Sequence, residues 1–164
     1  MNDGNIMYFT KDGHETQLPP PQPGQFDQTY LSLHDVAFQE RQMGVKGALE
    51  PLYNFWTDFL VDKFNLGMYE EFKDTAISDL QEGNDSGMSY LVRFFGKVLT
   101  GAVPISERLA LDLVTLAREE RSDKRSFLQI MRAALRNGAT SMKTIKRLGD
   151  VLTTEEKAEL DKSG

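Results

Sequence analysis

The chain has 164 residues, a formal net charge of −6, 40% apolar and 27% charged side chains, and no cysteine. That length and composition fit one globular domain with its own core, and the missing cysteine excludes a disulfide framework, zinc–thiolate sites and thiol nucleophiles. No run approaches the roughly 18 apolar residues of a membrane span and the start lacks a signal-peptide core, so a soluble, cytoplasmic protein with no membrane partner is expected.

Residues 1–29 hold Gly4, Gly13 and the PPPQPGQ run from Pro19, with few apolar residues at either period. They read as a flexible tail or linker ahead of a helical domain over 30–164. His14 has no partner pattern there. A first helix is expected over about Thr29–Met43, capped by Asp27 or Thr29 and stopped by Gly44. His34 sits one turn from Phe38 as a surface or boundary residue.

The stretch LYNFWTDFLVDKFNLGMYEEF, Leu52 to Phe72, holds seven of the sixteen aromatics. Leu52, Phe55, Trp56 and Phe59 recur at helical spacing, and Tyr69, Phe72, Ala76 and Leu80 form a second inward stripe. Gly67 between them suits a left-handed cap, giving an antiparallel hairpin that must bury against further helices. Core packing accounts for these rings better than a ligand-stacking role for Trp56.

EGNDSG, from Glu82, is a turn. In the next helix Leu91, Phe94, Phe95 and Val98 are the buried stripe, and Tyr90, Arg93 and Lys97 lie on a neighbouring face where one ring beside two cations could stack a base or hold phosphate. After a loop, Leu109, Leu113, Leu116 and Ala117 mark a helix opened by Pro104 or Ser106. Ser122-Asp123 is expected to cap the following one. There Phe127, Ile130, Met131, Ala134 and Leu135 face inward, Arg125, Arg132 and Arg136 lie opposite, and Asn137-Gly138 ends the run. A short helix adds Lys143, Lys146 and Arg147, and a last one is capped by Thr153 or Thr154. The expectation is all-α: about seven or eight helices in consecutive antiparallel hairpins, stacked as a HEAT-like array.

Charge is unevenly spread. Lys124–Arg147 contains seven basic residues and no acidic one, which suits a single anion-facing surface. Arg125, Arg132, Arg136, Lys143, Lys146 and Arg147 could converge on a phosphate backbone. A solvated basic face, or one docked on acidic residues of the same chain, is the alternative. Catalytic signatures are missing: no Gly-rich phosphate loop, no H-E-x-x-H, and acidic pairs (Glu70-Glu71, Glu119-Glu120) that diverge by about 100° on a helix. A non-enzyme with neither cofactor nor metal is expected.

ERQMG (Glu40–Gly44), LYNFWTDFLVDKFN, MYEEFKDTAISDLQEG and SYLVRFF (Ser89–Phe95) resemble, in order and spacing, the C-terminal helical-repeat region of La-related protein one. The likeness covers roughly Leu31 to Leu99; FLQIMRAALRNG and the basic tail suggest a fungal-type branch. The resemblance implies HEAT-like hairpins that bind the 5′ end of messenger RNA, cap included, and regulate translation alongside protein partners of that machinery. Arg93 matches an arginine at the family's RNA-binding surface. The family holds the methylated guanine between tyrosines of later repeats, with an acidic residue of a YGLEKFW segment reading the base edge. This chain has one aromatic after Phe95, Phe127, and no such segment. The expected site is therefore Tyr90, Arg93, Lys97, Arg125, Arg132, Arg136, Lys143, Lys146 and Arg147, contacting RNA without the family's cap pocket. The rival expectation is a helical adaptor for a protein partner.

Overall fold

The computed structural model describes residues 25–121, 123–138 and 140–161, so the expected tail up to residue 24, His14 within it and the capping role of Ser122 lie outside the described residues. Among the described residues there are eight α-helices and no strand: α1 (Gln25–Gln42), α2 (Glu50–Asp62), α3 (Leu66–Gln81), α4 (Ser86–Leu99), α5 (Glu107–Glu119), α6 (Ser126–Asn137), α7 (Met142–Val151) and α8 (Thr154–Asp161). The fold is the all-α, HEAT-like array that the periodicities imply. The chain divides into two compact units, residues 1–91 and 92–164, with the boundary inside α4.

In the first unit α2 packs against α1 and α3. The aromatic stretch forms its core: Leu52, Tyr53, Trp56, Leu60, Tyr69 and Phe72 are all buried. Trp56 is stacked on Phe72, with ring centroids 5.4 Å apart, and meets Tyr53 edge-on at 5.9 Å. Its indole N–H donates to the Tyr30 hydroxyl at 3.2 Å, which ties α1 to α2 and rules out a ligand-stacking face. Two details depart from the sequence expectation. Gly67 is not a left-handed cap between the helices: α2 has Lys63 as its C-cap, the Asn65 side chain starts α3 by accepting from the Met68 N–H at 2.9 Å, and Gly67 lies inside the first turn. The inward stripe of α3 ends on Asp79 rather than Leu80, which is 45% exposed.

Asp79 is buried because it is satisfied. Tyr53 donates to one carboxylate oxygen at 2.8 Å and Arg41, from the ERQMG segment, pairs with the other. A buried charge needs such partners, since desolvation alone would cost several kcal/mol. Tyr53 therefore joins α1, α2 and α3, and its hydroxyl pKa is pushed upward by burial and by Asp79. The start of α4 closes on the same residue. A Cβ at Gly87 would lie 2.9 Å from the Ala76 Cα and inside contact distance of the Tyr53 ring, so only glycine admits this approach.

In the second unit α5 packs on α6 and α7, and α6 packs on α8. Pairing is thus not purely consecutive: the α5–α6 hairpin stacks on α7 and α8, first helix on first and second on second, as in a solenoid. Hydrogen bonds fix the directions. The Ile105 N–H, just before α5, donates to the Thr144 hydroxyl in the first turn of α7 at 3.0 Å, while Arg118 near the end of α5 reaches the Val151 carbonyl at the end of α7 at 3.0 Å. Helices α5 and α7 therefore run parallel. The caps expected from sequence are Ser106 for α5, Gly138 in a left-handed conformation after α6, and Thr153, in a reciprocal capping box with Glu156, for α8; the structure adds Ser141 for α7. The exception is the start of α6, where Arg125 is left-handed and makes no side-chain cap. The Glu120 carboxylate fills in, accepting from the Phe127 and Leu128 N–H groups at 3.1 Å each.

Candidate nucleic-acid interface

Of the nine expected contact residues, Tyr90 belongs to the first unit and the other eight to the second. Tyr90 is half-buried, donates to Glu50 at 2.7 Å, and is stacked on Tyr53 with ring centroids 5.5 Å apart and planes 13° from parallel. One ring face is already occupied by protein. It is a packing residue that holds α4 to α2, not an open platform.

The arginines of α6 lie on one face, as their spacing requires: Arg125, Arg132 and Arg136 fall within about 40° of one another at 3.6 residues per turn. That face is not open. Arg132 is 8% exposed; its guanidinium donates to the Glu159 carbonyl at 2.9 Å and to the Gln129 side chain at 3.4 Å. Arg136 is exposed but donates to the Asp161 carbonyl at 3.0 Å. Both arginines donate to carbonyls at the C-terminal end of α8, where the helix dipole favours a cation. The expected solvent-facing position of Arg132 is corrected on this ground: a helix end covers it. Sequence spacing gave the face and could not show its occupant.

Arg118 completes the attachment and was not singled out from sequence. It makes a two-pronged pair with the Glu156 carboxylate at 2.7 and 2.8 Å while also holding Val151. Hydrogen bonding from Arg118, aided by the Thr153 N–H, lowers the Glu156 pKa to about 2. Arg147 is also drawn inward, donating to the Ile105 carbonyl at 2.7 Å.

The remaining cations are distributed by the parallel stacking. One end of the second unit gathers the end of α6 and the start of α7, hence Arg136 and Lys143, with Lys146 and Arg147 one turn further along α7. Lys97, in the last turn of α4 and one turn beyond Arg93, leads into the loop that enters α5 at this end. Arg93, Lys97, Lys143 and Lys146 are all exposed, and Lys146 pairs with Asp150 at 3.1 Å. Arg125 lies at the opposite end, about 16 Å away along α6 at 1.5 Å per residue. There it neighbours Glu120 at 3.6 Å and shares the α5–α6 loop with exposed Arg121 and Lys124. Among the described residues no group of three histidine or acidic side chains could hold a metal ion, and no helix is long and apolar enough to cross a membrane.

Helical hairpins, closed on an aromatic core in the first unit and stacked pairwise in the second, define an α-helical repeat module. The family model for the LARP1 HEAT repeat region matches residues 21–114, and the chain belongs to that family. The matched span includes the Arg41–Asp79–Tyr53 network, Gly87 and Arg93. No solved structure matches the chain.

Proposed function

We propose that this chain is a non-catalytic, cytoplasmic RNA-binding module of a translational regulator, and that it grips the phosphate backbone near the 5′ end of messenger RNA. The observation that supports this reading is the exposure of Lys97, Lys143 and Lys146 towards one end of the second unit, with Arg93 a turn away on α4 and with Arg136 and Arg147 nearby on backbone carbonyls. Family membership points the same way. The RNA is held by charge rather than by cap stacking. The second unit has neither tyrosine nor tryptophan, and Tyr90 is committed to Tyr53 and Glu50. A cap sandwich needs two open aromatic planes, each worth about 1–3 kcal/mol.

Fluorescence anisotropy with short pyrimidine-rich RNAs tests this. Capped and uncapped RNA are expected to bind equally, and log affinity should fall with log salt at about −0.7 per phosphate neutralised. The double variant Lys97→Glu/Lys143→Glu should weaken binding at least about tenfold, through loss of two phosphate contacts and added repulsion. Absence of binding at low salt would refute the proposal.

A second reading, an adaptor for a protein partner of the translation machinery, draws on one feature. A cleft of about 410 Å³ between α6, α7 and α8 has Leu135, Ile145, Leu148, Leu152 and Leu160 among its lining, beside Lys157 and Asp161, with Met142 82% exposed on the same α7. Binding there would depend on apolar anchors and change little with salt.

A further inference from the structure

We infer that α8 is a built-in competitor for RNA: a displaceable acidic helix that covers Arg132 and engages the flanking, exposed Arg118 and Arg136, so masking an arginine surface on α5 and α6. The inference rests on the RNA-binding reading above and adds its regulation. The helix, TEEKAELD, has four acidic residues and one lysine, and only Leu160 is buried. Most of its attachment is polar: Arg118 on the Glu156 carboxylate, Arg132 on the Glu159 carbonyl, and Arg136 on the Asp161 carbonyl. Each of these donors is a guanidinium suited to phosphate, and each now serves oxygen acceptors of α8. For Arg132 and Arg136, which now serve neutral carbonyls, an RNA backbone offers fully charged acceptors, and for Arg118 it offers one charged acceptor in exchange for another. An apolar attachment could not be exchanged in this way.

The closed arrangement is also incompletely satisfied. The Arg132 Nε is buried and has no hydrogen-bond partner among the described residues, a state that disfavours a charged group. Beside it, a cleft of about 260 Å³ runs between α8 and the α5–α6 pair, with Arg118, Arg125, Glu156 and Glu159 on its rim and Val114, Leu128 and Met131 among its apolar lining. The helix thus lies over this surface without sealing it. With α8 released, Arg118, Arg125, Arg132 and Arg136 form one cationic strip that links the two basic ends of the unit.

The test uses the full chain and a fluorescein-labelled pyrimidine RNA, with amide hydrogen exchange as a second readout. Leu160→Ser removes the one apolar anchor, and Glu156→Gln loosens the Arg118 pair while leaving Leu160 in place. Both variants should speed exchange in α8 with α5 and α6 still protected. Both should also tighten RNA binding, by about tenfold if the open form is near one-tenth populated in the parent chain. Adding RNA to the parent should deprotect α8. If the parent binds RNA but the variants bind no tighter, or RNA leaves α8 exchange unchanged, the cover is refuted and the RNA-binding reading survives. If no form binds RNA, both fall together.

Discussion

Single residues in the first unit carry more than their chemistry suggests in isolation. Asp79 is a charge buried under three helices, and its partners come from positions 41 and 53. Asp79→Ala would leave Arg41 and the Tyr53 hydroxyl uncompensated, at a cost of about 3–5 kcal/mol, the range for breaking one side of a buried pair. Urea unfolding measures this, and a loss below 1 kcal/mol would show the network to be incidental. His34 makes a different contribution. Its ring lies 2.8 Å from Glu71 on α3 and 3.4 Å from Asp35 on its own helix, and hydrogen bonding to Glu71 raises its pKa above the ordinary 6.5. A folded-state pKa above the unfolded value stabilises the fold fully below pH ~6.5 and loses that contribution as pH rises through the folded value. The stability difference between the parent and His34→Gln should therefore shrink from pH 6 to pH 8. A flat difference would detach His34 from α1 docking. Neither residue was legible in this sense from sequence. A buried carboxylate has no apolar signature, its partners lie 26 and 38 residues away, and counting by stripe puts Leu80 in its place.

At the scale of elements, periodicity located the helices well, because apolar stripes at 3.6 residues survive any tertiary arrangement. What local pattern could not supply was the chemistry of the ends. The start of α6 reads as a Ser122-Asp123 cap, yet the N–H groups of Phe127 and Leu128 are taken by Glu120, seven and eight residues back. Glu120→Ala should cost about 1 kcal/mol, as for loss of an N-cap, and should raise amide exchange in the first turn of α6 before any other element. Likewise, the arginine face of α6 was visible as spacing, but its use as a cap for α8 depends on a chain return of more than twenty residues. The basic block therefore divides by role. Arg132 and Arg147 are drawn inward, Arg136 is partly committed, and Lys143 and Lys146 stay on the surface. The first turn of α4 supplies a steric case. Gly87→Ala would drive a methyl into the Ala76 backbone and the Tyr53 ring, and overpacking of that kind costs about 1–3 kcal/mol.

At the scale of the molecule, the aromatic hairpin marked the family from sequence alone, and the matched span of residues 21–114 stops inside α5. The second half of the chain was harder to read because its order depends on stacking α5 on α7 and α6 on α8, long-range pairings with no sequence repeat to announce them. The division into two units at residue 91 was equally silent, since α4 passes through it as one unbroken helix.

The buried Trp56, hydrogen-bonded to Tyr30, has an optical consequence. All five tyrosines and the lone tryptophan precede residue 91. Intrinsic emission therefore reports on the first unit alone, while far-ultraviolet dichroism sums the helices of both. Because α8 is held largely by polar contacts, the second unit is expected to loosen first. On heating, ellipticity should begin to fall while the Trp56 emission maximum is still blue, and coincident curves would mean that the two units melt as one. The chain thus carries a native reporter for one half of itself and leaves the other half dark, ready for a probe placed in α8.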